Sequence, residues 1–128
     1  MSKRALFFNY MTVYPVLADL LARDGYGVEV VPDAGKGLAR LDARAYDVVI
    51  VRESPGNESW KLCEKIREVS AAPLIVVSAN ASTESSVRAI NAGADYFMRK
   101  PFGPLEFLAR VNSLRQRRVA GQPLTVNP

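Results

Sequence analysis

Short apolar runs alternate with helix-periodic stretches along nearly the whole chain. "RALFF" (4–8), "GVEVVP" (27–32), "DVVIV" (47–51), "APLIVVSA" (72–79) and "DYFMRKP" (95–101) have the length and apolar character of buried strands. In the third of these the strand proper is Val48 to Val51, and the next step delivers Arg52 and Glu53 to the sheet edge. The intervening segments carry helical spacing. Val13, Val16, Leu17, Leu20 and Leu21 fall at i, i+3, i+4, i+7 and i+8 of a helix that stops at Gly25. Residues 35–44 form a short helix. Residues 58–70 form another, with Trp60, Cys63, Ile66 and Val69 inward. A helix over 82–93 is expected to take Ser82 as N-cap and end at Gly93. The last helix covers 103–118, with Pro104 near its start and arginines near its end, as the helix dipole prefers. Its inward face is Phe107, Leu108, Val111 and Leu114. Glu106, Arg110, Ser113 and Arg117 form a polar stripe.

This order is (βα)5. Fully apolar strands between amphipathic helices imply a parallel sheet covered on both faces, and right-handed crossovers make it a doubly wound α/β sandwich. In such a sheet, sites form at the carboxyl ends of the strands. Those ends carry Asn9 and Tyr10, Arg52 and Glu53, Ser78 and Ala79, and Lys100. No internal repeat or low-complexity segment is present. The tail "VAGQPLTVNP" contains glycine and prolines and reads as a linker.

The 128 residues suffice for one domain with a proper core, and 48% apolar with 23% charged residues is ordinary for a globular protein. The net charge of +4 is modest and partly concentrated in Arg115, Arg117 and Arg118, which suggests a basic end and not a nucleic-acid-reading surface. With one cysteine, Cys63, no internal disulfide is possible, and Cys63 is expected in the core. Histidine is absent, which removes histidine acid–base catalysis and most zinc sites. No apolar run approaches a membrane span and the N-terminus makes a poor signal peptide, so a cytoplasmic protein with no membrane partner is expected. "AGKG" (34–37) lacks the spacing and hydroxyl of a phosphate loop and reads as a turn and helix start.

"DVVIV", "PLIVVSA", "GADYFMRKPF" and "PLEFLARVNSLRQRR" together resemble the receiver domain of bacterial response regulators over residues 4 to 118. "PLEFLARV" further resembles the OmpR/PhoB subfamily of transcription factors. The resemblance implies the flavodoxin-like sandwich with strand order 2-1-3-4-5. It also implies phosphoryl transfer to an aspartate ending strand three, Mg²⁺ held by an acidic pair after strand one, and a hydroxyl and a lysine that bind the phosphoryl group. Ser78 and Lys100 match the hydroxyl and lysine, and Phe97 matches the aromatic switch position. Asn9 and Tyr10 stand where the acidic pair belongs, and Arg52 stands on the phosphoacceptor. The loop after it is one residue short. The Lys100–Pro101 bond is expected to be cis, as in the family.

Mg²⁺ wants hard, charged oxygens, which Asn9 and Tyr10 do not supply. Arg52 cannot accept a phosphoryl group, is always charged, and repels a divalent cation. It also repels Lys100 unless an anion or carboxylate lies between, and Glu53 is the local candidate, although successive strand residues point to opposite faces. Plainer readings stand beside these: Lys100 as a structural remnant, Ser78 as a satisfied hydroxyl, Glu53 as a weak candidate for substitute acceptor. The expected protein is thus not an enzyme, has no metal or cofactor, and needs no cognate histidine kinase. It is an atypical, phosphorylation-independent receiver that acts as a homodimer. The resemblance puts the dimer surface on the face of the fourth helix, fifth strand and fifth helix, where Arg88, Asp95, Glu106 and Arg110 match its charged positions and Tyr96 replaces a further acid. The plainer alternative there is a solvated face with a Glu106–Arg110 pair. "LTVNP" resembles the first strand of the subfamily's winged-helix domain. Residues 1–118 are therefore expected to be the receiver, and 119–128 a linker or the start of a missing DNA-binding effector domain, through which DNA is contacted. Two other functions remain open: a ligand-sensing receiver whose pocket binds a small anion or metabolite, and a stand-alone protein-binding adaptor.

Overall fold

The computed structural model describes residues 3–9, 16–53, 59–79 and 82–119. Five strands, β1 (Lys3–Phe8), β2 (Tyr26–Val31), β3 (Val48–Glu53), β4 (Leu74–Ser78) and β5 (Tyr96–Arg99), alternate with helices. These are α1 (Val16–Arg23), α2 (Ala34–Ala43), α3 (Ser59–Val69), α4 (Thr83–Asn91) and α5 (Pro104–Val119). The strands pair in parallel in the order β2-β1-β3-β4-β5. The doubly wound sandwich and its strand order are those expected. Residues 120–128, and with them most of the expected linker, lie outside the described residues, as do Tyr10, Val13 and the loop 54–58.

Alternation along the strands divides the core into two layers. Leu6, Phe8, Val49, Val51, Leu74, Val76 and Phe97 meet Leu41, Leu62, Cys63, Ile66 and Ala89, so this side is covered by α2, α3 and α4. Ala5, Phe7, Val48, Ile50, Ile75, Val77 and Met98 meet Ala18, Leu21, Phe107 and Val111, so the other side is covered by α1 and α5. Every residue from Val48 to Val51 and from Leu74 to Ser78 is buried, as the central strands of a two-sided sheet require.

Local chemistry sets the element ends. Asp33 caps α2 by accepting from the Lys36 amide at 3.1 Å, and Ser82 caps α4 by accepting from the Ser85 amide at 3.1 Å. A Cβ on Gly37 would stand 2.1 Å from the Phe8 ring, so glycine lets α2 lie directly on β1. Gly93 leaves α4 with φ at +121°, a conformation L side chains rarely adopt, and its missing Cβ is also the space taken by Arg67. Arg67 donates to the carbonyls of Gly93 at 2.9 Å and Ala72 at 2.6 Å, and to the Asp95 carboxylate at 2.9 Å.

Two inward assignments need correction. Val16 is 76% and Val69 38% exposed, because both stand at helix termini, where side chains reach past the sheet; Leu62 is buried on α3 instead. The third strand also continues two residues beyond Val51, which holds Arg52 and Glu53 inside the ladder.

Candidate functional site

The carboxyl edge of the sheet gathers Asn9, Arg52, Glu53, Ser78 and Lys100, and strand alternation splits them into two halves. Arg52 pairs in register with Val77, and Val77 with Met98, all on the α1/α5 side. Lys100 lies two residues beyond Met98 and continues the ladder, its amide donating to the Ser78 carbonyl at 2.9 Å. Asn9 lies two residues beyond Phe7 on the same side, is 1% exposed, and its amide donates to Val31 at 3.0 Å. Glu53 pairs with Ser78 on the α2/α3/α4 side.

The Glu53 half is hydrogen-bonded. The Ser78 hydroxyl donates to one carboxylate oxygen of Glu53 at 3.0 Å, and the Ser59 hydroxyl, from the first residue of α3, donates to the other. Ser59 and Ser78 are both buried. Glu53 therefore turns away from Arg52 and Lys100 and does not bridge them. Ser59 was not singled out from the sequence. The detectable signal was parity, since Glu53 and Ser78 each end a buried strand in phase with its α3-facing residues.

The other half is cationic. Among the described residues neither Arg52 nor Lys100 has an ion-pair partner. The Lys100 ammonium is held below the usual lysine value, first by loss of hydration and then by the charge of Arg52. This donor set does not fit Mg²⁺. Asn9 offers an amide, Arg52 a guanidinium, and the Glu53 carboxylate lies on the opposite face and already accepts from two hydroxyls. The Lys100–Pro101 peptide is cis. Phe97 is half-buried against the α2/α3/α4 layer. Cys63 is buried and its thiol is pushed up to about 12, chiefly by burial, which makes it inert.

On the face of α4, β5 and α5, Arg88, Glu106 and Arg110 are exposed. Arg88 pairs with Glu84 at 2.8 Å and lies 5.6 Å from the Trp60 ring. Arg110 makes no ion pair with Glu106 but stacks on Tyr96 at 4.4 Å, so the tyrosine in the acidic position still holds the arginine. Asp95 is directed inward. Its Oδ2 accepts from Arg67 at 2.9 Å and from the Leu74 amide at 2.8 Å.

Comparison with known proteins agrees with this geometry. The response regulator receiver domain family matches residues 11–112. The chain is 35% identical over 98 residues to the transcriptional regulatory protein CseB of Streptomyces avermitilis, covering 76% of this chain and 42% of that protein. It is 32% identical over 102 residues to the sensory transduction protein RegX3 of Mycobacterium tuberculosis, covering 79% and 45%. The chain thus spans less than half the length of these relatives. Among solved structures, a receiver domain protein from Methanospirillum hungatei superimposes with a TM-score of 0.85 at 28% identity, over 94% of this chain and 99% of that one. Fold and sequence likeness agree that this chain belongs to the response regulator receiver domain family.

Proposed function

We propose that this receiver signals without phosphorylation of its strand-end site, as the regulatory part of a transcriptional regulator. The observation that supports this most is Arg52 itself: a permanent cation occupies the acceptor position, inside the β3–β4 ladder. A guanidinium has no oxygen to take a phosphoryl group and opposes the Mg²⁺ that such transfer uses to neutralise charge. The neighbouring carboxylate, Glu53, faces the other layer and is engaged by Ser59 and Ser78. In place of a phosphorylation switch, the output is a homodimer through the α4-β5-α5 face. Arg88, Glu106 and Arg110 are exposed there, and the same elements expose Val87, Ile90 and Leu105. Asp95, held by Arg67, contributes through the position of the β5 edge and not as a free charge. Residues 1–118 form the receiver, and the segment from 119 leads to a DNA-binding domain, as the printed role of CseB suggests. The proposed module is a cytoplasmic signalling domain that is not an enzyme and requires no cognate kinase; no helix among the described residues is long and apolar enough to cross a membrane.

Treatment with a small phosphodonor and Mg²⁺, followed by intact-mass measurement and sedimentation, tests this. The mass is expected to stay unchanged, and the chain to sediment as a dimer before and after treatment. Arg110→Glu shifts it toward monomer. A covalent phosphoryl adduct, or a monomer at high concentration in low salt, refutes the proposal.

A further inference from the structure

Tyrosines open both edge strands of the sheet, and both reach α5. Tyr26 is the first residue of β2 and Tyr96 the first of β5, and both belong to the α1/α5 layer. The two edges are four strand spacings apart, about 19 Å. The Tyr26 hydroxyl donates to the side-chain carbonyl of Asn112 at 2.6 Å, and the Asn112 amide donates to the Asp24 carboxylate at 3.0 Å. Lys3 closes the ring. It donates to the Asp24 backbone carbonyl at 2.8 Å and stands 4.4 Å from the centre of the Tyr26 ring. Residues from β1, the α1–β2 turn, β2 and α5 are thus joined in one polar circuit. On the opposite flank of α5, Arg110 stacks on Tyr96 at 4.4 Å. Residues 110 and 112 point about 200° apart around the helix, so the two contacts grip opposite sides of it.

Between these contacts Phe107, Val111 and Leu114 pack on the sheet. Apolar contact is non-directional, so it fixes the depth of a helix better than its roll. A roll of about 20° carries a side chain at the helix surface by about 2 Å, which breaks a hydrogen bond. We propose that Tyr26 and Asn112 are positioning residues for self-association: from the far edge of the sheet they set the roll of α5 that presents Glu106 and Arg110. This rests on the reading of the α4-β5-α5 face as the dimer surface, and adds a determinant that lies off that face.

The test is the dimer dissociation constant of the whole chain by sedimentation, with urea unfolding beside it. Tyr26→Phe keeps the ring under Lys3 and removes only the hydroxyl. Asn112→Asp keeps an acceptor for Tyr26 but sets its carboxylate against that of Asp24. Each is expected to weaken the dimer about threefold to fivefold, near the factor that one net hydrogen bond is worth. Adding Asp24→Asn to Asn112→Asp exchanges donor and acceptor across the same contact, and is expected to restore most of the loss. Tyr46→Phe removes a comparable hydroxyl in the other layer, the donor to Glu29 at 2.9 Å, and leaves the dissociation constant unchanged. A merely structural role for the circuit lowers urea midpoints and does not move the dimer. Unchanged dissociation constants in Tyr26→Phe and Asn112→Asp, equal weakening in Tyr46→Phe, or no recovery with Asp24→Asn therefore overturn the proposal. If Tyr26→Phe does not fold, the Asn112→Asp and Asp24→Asn variants read the same contact. A parent chain that stays monomeric at high concentration in low salt overturns the reading of the dimer face, and this role with it. A dimeric parent with indifferent variants refutes only the positioning role.

Discussion

The two halves of the carboxyl edge differ by one residue step along β3 and carry opposite physical states. Toward α3, Glu53 accepts from Ser59 and Ser78, so a half-buried carboxylate and two buried hydroxyls satisfy one another. Toward α1 and α5, Arg52 and Lys100 have no ion-pair partner among the described residues. A closed hydrogen-bond group of this kind holds structure, because each member loses its solvent without replacement if another is removed. Like charges on one side of an edge do the reverse, and each lowers the stability of the other's charged form. Satisfied and repelling groups are thus divided between the faces of a single strand end.

The largest expected effect lies on the hydrogen-bonded side. Glu53→Ala leaves the Ser59 and Ser78 hydroxyls without their acceptor, and urea unfolding is expected to show a loss of about 1–3 kcal/mol. A loss below the error of the measurement would erase the distinction between the halves. On the cationic side Arg52→Gln, in buffer free of phosphate and sulfate, is expected to be neutral or to stabilise by less than about 1 kcal/mol, since it removes repulsion and no pair. A clear destabilisation would mean that Arg52 has a structural partner after all.

The smallest effect is in the pH dependence. The Lys100 ammonium is depressed by burial first and Arg52 second, below the ordinary 10.5. A lysine with a depressed folded value releases its proton in the folded chain before it does so in the unfolded one. Across that window the unfolded chain binds more protons, and this group's contribution to stability rises with pH. Arg52→Gln removes one of the two causes, so the rise contributed by Lys100 becomes shallower but does not vanish. Urea midpoints of parent and variant, compared between roughly pH 8 and pH 10, read this difference. Tyr26 and Tyr46, both raised chiefly by burial, contribute the opposite slope equally to both proteins and cancel in the comparison.

Much of this was legible in the residues. Each strand is an apolar run and each helix has an apolar stripe, so the (βα)5 order and the strand-end positions of Arg52, Ser78 and Lys100 follow from periodicity alone. The errors at Val16 and Val69 arise because a helical stripe continues in the sequence up to the end of the helix, while the sheet beneath it does not. The resemblance puts Asp95 among the charges of the dimer surface, and the sequence does not reveal its inward turn because its partner, Arg67, lies 28 residues away on α3 and no local spacing connects them. Ser59 was missed for a related reason. Its role depends on how α3 returns to the sheet after the loop following β3, and a serine at a helix start already has an ordinary explanation.

The contact of Arg67 with Gly93 and Asp95 also bears on how such a chain can change over generations. Gly93 cannot acquire a side chain while Arg67 occupies its flank, because an added Cβ would stand 2.5 Å from the arginine stem. Loss of Arg67 would clear that space but take from Asp95 its charged partner and leave it the Leu74 amide, and the backbone at Gly93 would still favour glycine at φ of +121°. Substitutions at these three positions are therefore expected to be coupled, since each changes what the other two meet. A lineage that altered this corner of the fold would be expected to carry that coupling as a correlated triplet, while the positions around it drift independently.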